Sequence, residues 1–287
     1  MRTILCVLSI CVAATAFGQT AMIDQGRTAL QRNDYEAAVE LLEKAVAQTP
    51  NNAEAHYLLG EAYGSLAQRA NIFRQASLGG KTHREFARAV ELDPNHLDAR
   101  MGLVQFYVLA PGFMGGDLQK AIAQANEIKK RDAVMGHRAF AYIHGQEKKP
   151  ELARKEYIDA VKEQPNSPSA HYWLGISFLT ADKNYKAATE EFELAVRIDP
   201  AFMPGWFQLG HMAAVTGANL QRGEEALLKY LAYTTKPDEP PHYRAHFWLG
   251  GIYERQGKKA EARQSYATSL HINPNQKDVQ EALKKIS

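Results

Sequence analysis

His242 and His246 stand four residues apart, the one-turn spacing by which a helix offers two imidazoles to a metal ion. No Glu follows the first in the His-Glu-x-x-His order that would supply a general base beside the metal. His246, like His56 and His171, also falls where a helix seam takes a large residue, so packing accounts for all three. Ser177, in Gly175-Ile176-Ser177-Phe178, has a glycine two residues before it but none two after, which is not the sharp turn of a nucleophile elbow. Phosphate-cradling glycine loops, a dinucleotide fingerprint and a haem-attachment Cys-x-x-Cys-His are missing. The expectation is a chain with no catalytic residues, no metal site and no cofactor, and hence not an enzyme.

The two cysteines, Cys6 and Cys11, lie in the N-terminal segment. There Arg2 gives a positive start, Ile4 to Ala16 an apolar core, and Ala14-Thr15-Ala16-Phe17-Gly18 a small-residue exit. That layout is a secretory signal peptide over 1–18, cleaved within about two residues of Gly18. The apolar run is shorter than the ~20 residues that cross a bilayer as a helix, so no membrane insertion is expected after cleavage. Leu8-Ser9-Ile10-Cys11 departs from a lipidation site, with bulky Ile10 where a small residue belongs. The expected compartment is the periplasm or the exterior, and cleavage leaves no thiol for disulfides or nucleophilic chemistry. The composition of the whole sequence, 34 basic against 32 acidic residues with 45% hydrophobic, suits a folded chain without the excess of cations that nucleic acid demands.

What could position a binding surface is a repeat. Leu59-Gly60 with Tyr63, Leu174-Gly175 with Phe178, Leu209-Gly210 with Ala213 and Leu249-Gly250 with Tyr253 share one helical pattern. A second pattern runs small, apolar, small, then Pro: Ala38-Leu42-Ala45-Pro50, Ala153-Tyr157-Ala160-Pro165, Ala188-Phe192-Ala195-Pro200 and Ala262-Tyr266-Ser269-Pro274. Two helices approach closely only where Gly or Ala faces the partner and a large residue one turn away fills the hole. Pro then ends the second helix by removing a backbone donor.

On these residues the chain resembles the tetratricopeptide repeat proteins, whose helix–turn–helix unit repeats about every 34 residues. The resemblance implies an all-α fold: a right-handed α-solenoid of about seven such repeats with a C-terminal capping helix. The repeats are placed at 19–52, 53–96, 97–133, 134–167, 168–202, 203–236 and 243–276, with the cap at 277–287. The second and third carry insertions. In the second, Leu66, Ala70 and Phe73 keep a helical rhythm, so the first helix is expected to overrun to about Gly79-Gly80. In the third, Pro111 to Gly116 reads as a loop carrying Phe113 and Met114. Both insertions should project from one edge, giving a possible contact surface of Phe73, Phe113 and Met114. Thr234 to His242, with three prolines, reads as a stiff connector.

The resemblance further implies that first helices line a concave groove. Taken repeat by repeat, its residues are Tyr57 and Glu61, Met101 and Gln105, Arg138 and Tyr142, Tyr172 and Ile176, Phe207 and His211, and Phe247. Arg27, Arg138 and Arg244 are too scattered for a carboxylate clamp, so the trough points to a peptide or helical segment of a protein partner. The expected function is a non-catalytic protein–protein interaction scaffold of the cell envelope. Its rivals are a structural assembly factor of an envelope complex, of the cytochrome-maturation or outer-membrane type, and an unrecognised enzyme or small-molecule binder. Partner identity, oligomeric state and biological process are not written in these residues.

Overall fold

The computed structural model describes residues 21–236 and 239–286; the expected signal segment, both cysteines and Pro237 lie outside the described residues. Those residues form α-helices and short turns, with no strand among them. The chain divides between Ala153 and Arg154 into two compact units. The first holds α1 (21–31), α2 (Tyr35–Gln48), α3 (Ala53–Ala67), α4 (Ile72–Leu92), α5 (Leu97–Leu109), a 3-10 turn (Gly112–Met114), α6 (Leu118–Lys129) and α7 (Ala133–Gln146). Helix α8 (Pro150–Glu163) crosses the division. The second unit continues with α9 (Pro168–Ala181), α10 (Tyr185–Ile198), α11 (Met203–Thr216), α12 (Leu220–Leu231), α13 (His242–Arg255), α14 (Lys259–Ile272) and α15 (Lys277–Ile286).

Helix starts are set by short polar side chains. Asp34, Asn52, Asn71, Asp132, Ser167 and Asn184 each accept a hydrogen bond from the backbone N–H three residues on, satisfying a donor that the helix itself cannot. Within each unit, successive helices then pack through glycine. A Cβ added at Gly60 or at Gly102 would lie 2.7 Å from the Phe86 ring, so this one ring is held between α3 and α5. Gly175 meets Phe192, Gly210 meets Leu227 and Gly250 meets Tyr266 in the same way. These are the small and large positions of the repeat, and their burial forms the core.

The prolines do more than stop helices. His56 Nε2, Arg100 Nε, His171 Nε2, Trp206 Nε1 and Gln280 Nε2 each donate to the carbonyl of the proline six residues earlier, at 2.9–3.1 Å. Five different side chains thus satisfy a carbonyl left over at the junction between two repeats. At the C-terminal end α15 buries Val279 against Tyr266, with Ala282, Leu283 and Ile286 alongside, and so covers the last helix pair.

One expectation is overturned. Helix α3 does not overrun to Gly79-Gly80; it ends at Ala67, and Asn71 caps a new helix by accepting from the Arg74 N–H. The surplus instead lengthens the second helix of the pair, α4, which reaches 21 residues with Gly79 and Gly80 inside it. The third repeat's surplus forms the 3-10 turn, closed by Gly115 at φ 97°, a conformation that L side chains rarely adopt. At Gly116 a Cβ would fall 1.8 Å from the Ala110 carbonyl oxygen, so only glycine fits.

Candidate functional site

The elongated start of α4 and the 3-10 turn meet in the first unit. Between them, with the ends of α3 and α5, lies a cleft of about 340 Å³. Phe86 and Phe106 line its interior, Ile72, Leu109 and Met114 its sides, and Glu61, Gln68 and Gln105 supply polar groups. Gly79 is what keeps it open. A Cβ there would stand 3.9 Å from both Met114 and Phe106, an ordinary contact, so the helix could carry a side chain that the sequence leaves out. Around the cleft stand apolar residues with little cover: Phe73 is 87% exposed, Phe113 88%, Ile72 63% and Leu109 55%. Scattered single apolar residues on a surface are ordinary, whereas here four large ones stand beside one apolar recess.

Tyr57 leans on Phe86 and His96, with ring centroids 6.1 and 4.9 Å away. Its hydroxyl donates to Glu61, and burial raises its pKa. Crowding by the surrounding protein also raises the Glu61 carboxyl, with Asp98 and Glu54 adding to the rise and the Tyr57 hydrogen bond opposing it; the residue still reaches solvent. Behind the turn, His83 packs on Phe106 at 4.9 Å and bonds the Tyr107 hydroxyl at 3.0 Å. Burial, then Lys120, lowers its pKa.

The predicted groove residues fare unequally. Glu61 and Gln105 line the cleft, with Met114 from the edge set, while Phe73 and Phe113 stand out beside it. Arg138 and Tyr142, half-buried on α7, are not among its lining. Met101 is not a groove residue: at 5% exposure it packs into the cluster around Ala121 and Ala125, whose small side chains leave it room. Phe207 is likewise core, 4% exposed, with its ring 5.2 Å from Tyr230. In the second unit Tyr172 packs against Phe192 and Phe202, Ile176 against the same cluster, and Phe247 against Tyr266 and Trp248. His211 stacks on Trp248 at 4.3 Å, and burial, with Arg244 beside it, pushes its pKa down to about 4. Ile72, Phe106 and Leu109 were missed by reading one repeat at a time; the available signal was large apolar side chains next to both insertions.

Among the described residues no group of three or more His, Cys, Asp or Glu is placed to hold a metal ion. His242 spends Nε2 on the Tyr233 carbonyl at 2.9 Å. His246 is lowered in pKa by burial and by His242.

Stacked helix pairs with glycine seams and a capping helix define a helical-repeat fold of the kind that serves protein interaction. Sequence profiles agree: one described as TPR repeat matches residues 26–66, and one described as tetratricopeptide repeat matches 138–201 and 212–277. The chain belongs to the tetratricopeptide repeat family. Among solved structures, 88% of it matches 58% of a chain in the human IFIT1 dimer with m7Gppp-AAAA, at 18% identity and TM-score 0.53. A further 93% coverage is found against 48% of a chain in the APC/C hetero-tetramer Cut9-Hcn1, at 16% identity and TM-score 0.52. The chain thus spans about half the length of these solved relatives, and at such identity the likeness is one of fold.

Proposed function

We propose that this protein is an exported, non-catalytic interaction scaffold that holds an apolar peptide or helical segment of a protein partner in the cleft of its first unit. The observation that carries this reading is the cleft itself, an apolar recess kept open by Gly79 and flanked by Phe73 and Phe113. Such a surface left in water is costly unless a partner covers it. Its lining contains no Lys or Arg, so a phosphate-bearing ligand of the kind in the IFIT1 complex finds no counter-charge there. The export reading rests on the pattern of residues 1–18 and is checked by N-terminal sequencing of protein recovered from the envelope. The volume is also within the span of small-molecule sites, which keeps a compact apolar ligand as the second reading.

A photoreactive residue at Gln75, which lines the cleft, should crosslink a protein partner that the same residue at exposed Gln264 does not. Phe73→Ser with Phe113→Ser should leave stability within about 0.5 kcal/mol, because neither ring is buried, while removing that crosslink. Thermal melts read the first effect and gel-resolved crosslinks the second. A crosslink that survives both substitutions argues against the cleft.

A further inference from the structure

The cleft is not uniformly apolar, and the exception sits at one end. Glu61 lines it from α3 and Gln68 from the cap that ends that helix, so it extends about 10 Å along α3 at 1.5 Å per residue. Helix α5 contributes Gln105, Phe106 and Leu109 to the same lining, and Glu61 is its one charged side chain.

Glu61 is short of positive charge. Its hydrogen-bond partner is the Tyr57 hydroxyl, and it has no ion-pair partner of its own among the described residues. Arg27, the cation whose field it feels, is ion-paired with Glu54 at 2.9 Å. Glu54 also takes His96 at 3.1 Å. A carboxylate beside other carboxylates and without a counter-ion is stabilised by a cation brought to it, the more so where a bound partner excludes water from around both.

We infer that the occupant of the cleft is a basic amphipathic segment of a protein partner. One large apolar side chain seats among Phe86, Phe106 and Leu109, and a Lys or Arg about one to two helical turns away pairs with Glu61. This rests on the cleft being the binding site. A second copy of the chain is the alternative occupant, with Phe113 of one entering the other.

The probes are three fluorescent peptides of one helical Leu/Ala/Gln sequence with a single Phe anchor. They differ only at the position one to two turns from it, which holds Arg, Gln or Glu. Anisotropy is measured with the whole chain and with Glu61→Gln, whose circular dichroism and melting confirm folding. The expected order is Arg over Gln over Glu, with Arg about tenfold tighter than Glu, and a spread that collapses to within about twofold in Glu61→Gln. Equal binding of all three to the wild-type chain would overturn the charge assignment while leaving the cleft as the site. If none binds and sedimentation shows self-association lost on Phe113→Ser, the occupant is a second copy. If none binds and the chain stays monomeric, both the basic segment and the peptide reading fall.

Discussion

Phe86→Ala should destabilise the first unit by about 3–5 kcal/mol, near the top of the range for a single truncation. The cost is set by what faces the ring. Phe86 is 5% exposed, and the positions on either side of it are Gly60 and Gly102. Elsewhere in a core a neighbouring side chain can swing into a vacated space, but two glycines have nothing to swing. The hole therefore persists, and it forfeits both the transfer of the ring from water and its dispersion contacts. Chemical denaturation followed by helix signal reads the change, and a loss under about 1 kcal/mol would mean that the ring is not the wedge between α3 and α5. Phe86→Leu should cost less, because it keeps part of the volume.

The second large effect is tied to pH. His171 directs Nε2 at the Pro165 carbonyl at 3.0 Å and Nδ1 at the Glu191 carboxylate at 2.6 Å. Both partners only accept, so satisfying them requires both ring nitrogens to carry protons, which makes the ring an imidazolium. Its pKa is accordingly raised, first by the Glu191 hydrogen bond and against the opposing effect of burial, with Pro165 adding to the rise. A His pKa raised above its unfolded value of about 6.5 stabilises the fold fully below that pH, and the contribution is lost as pH rises through the folded pKa. Glu191→Ala leaves the ring with 8% of its side chain exposed and no counter-ion. It should cost about 1.5–3 kcal/mol near pH 6 and flatten the decline of melting temperature on the alkaline side. His211 acts with the opposite sign: its pKa lies near 4, so it is neutral in the fold, and its contribution is lost as pH falls below about 6.5. Melting temperatures of wild type and Glu191→Ala from acid to mildly alkaline pH test this. Parallel curves would contradict it.

Much of the helical framework was legible because its determinants are local. Leu59-Gly60 and Ala188-Phe192 announce a close helix seam by size alone, and Pro165 or Pro200 announces its end. The double role of His56 and His171 was half legible: their seam position follows from spacing, whereas the carboxylates that complete them come from Glu85 and Glu191, in the next helix. The α4 boundary was misread because Leu66, Ala70 and Phe73 keep a helical rhythm straight through a break that one side chain, Asn71, creates by capping. Met101 and Phe207 were assigned outward by register, yet the face of a helix that counts as outside depends on the size of what its neighbours present. The repeat register placed both insertions on one edge, but the recess between them depends on Gly79 and on the new start of α4 at Asn71, which no periodicity encodes.

The matched pair Gly79→Leu and Gly80→Leu tests the cleft most directly. Both replace a mid-helix glycine of α4, which should help the helix by up to about 1 kcal/mol. At Gly79 the new side chain grows toward Met114 and Phe106 and fills the cleft, while at Gly80 nothing lies within 4 Å of a Cβ. The affinity of the captured partner for the two variants should differ by about tenfold or more, lost at Gly79→Leu and kept at Gly80→Leu, with both proteins at least as stable as wild type. Equal affinities for the two variants would contradict the account, because the protein would then bind its partner without using this cleft.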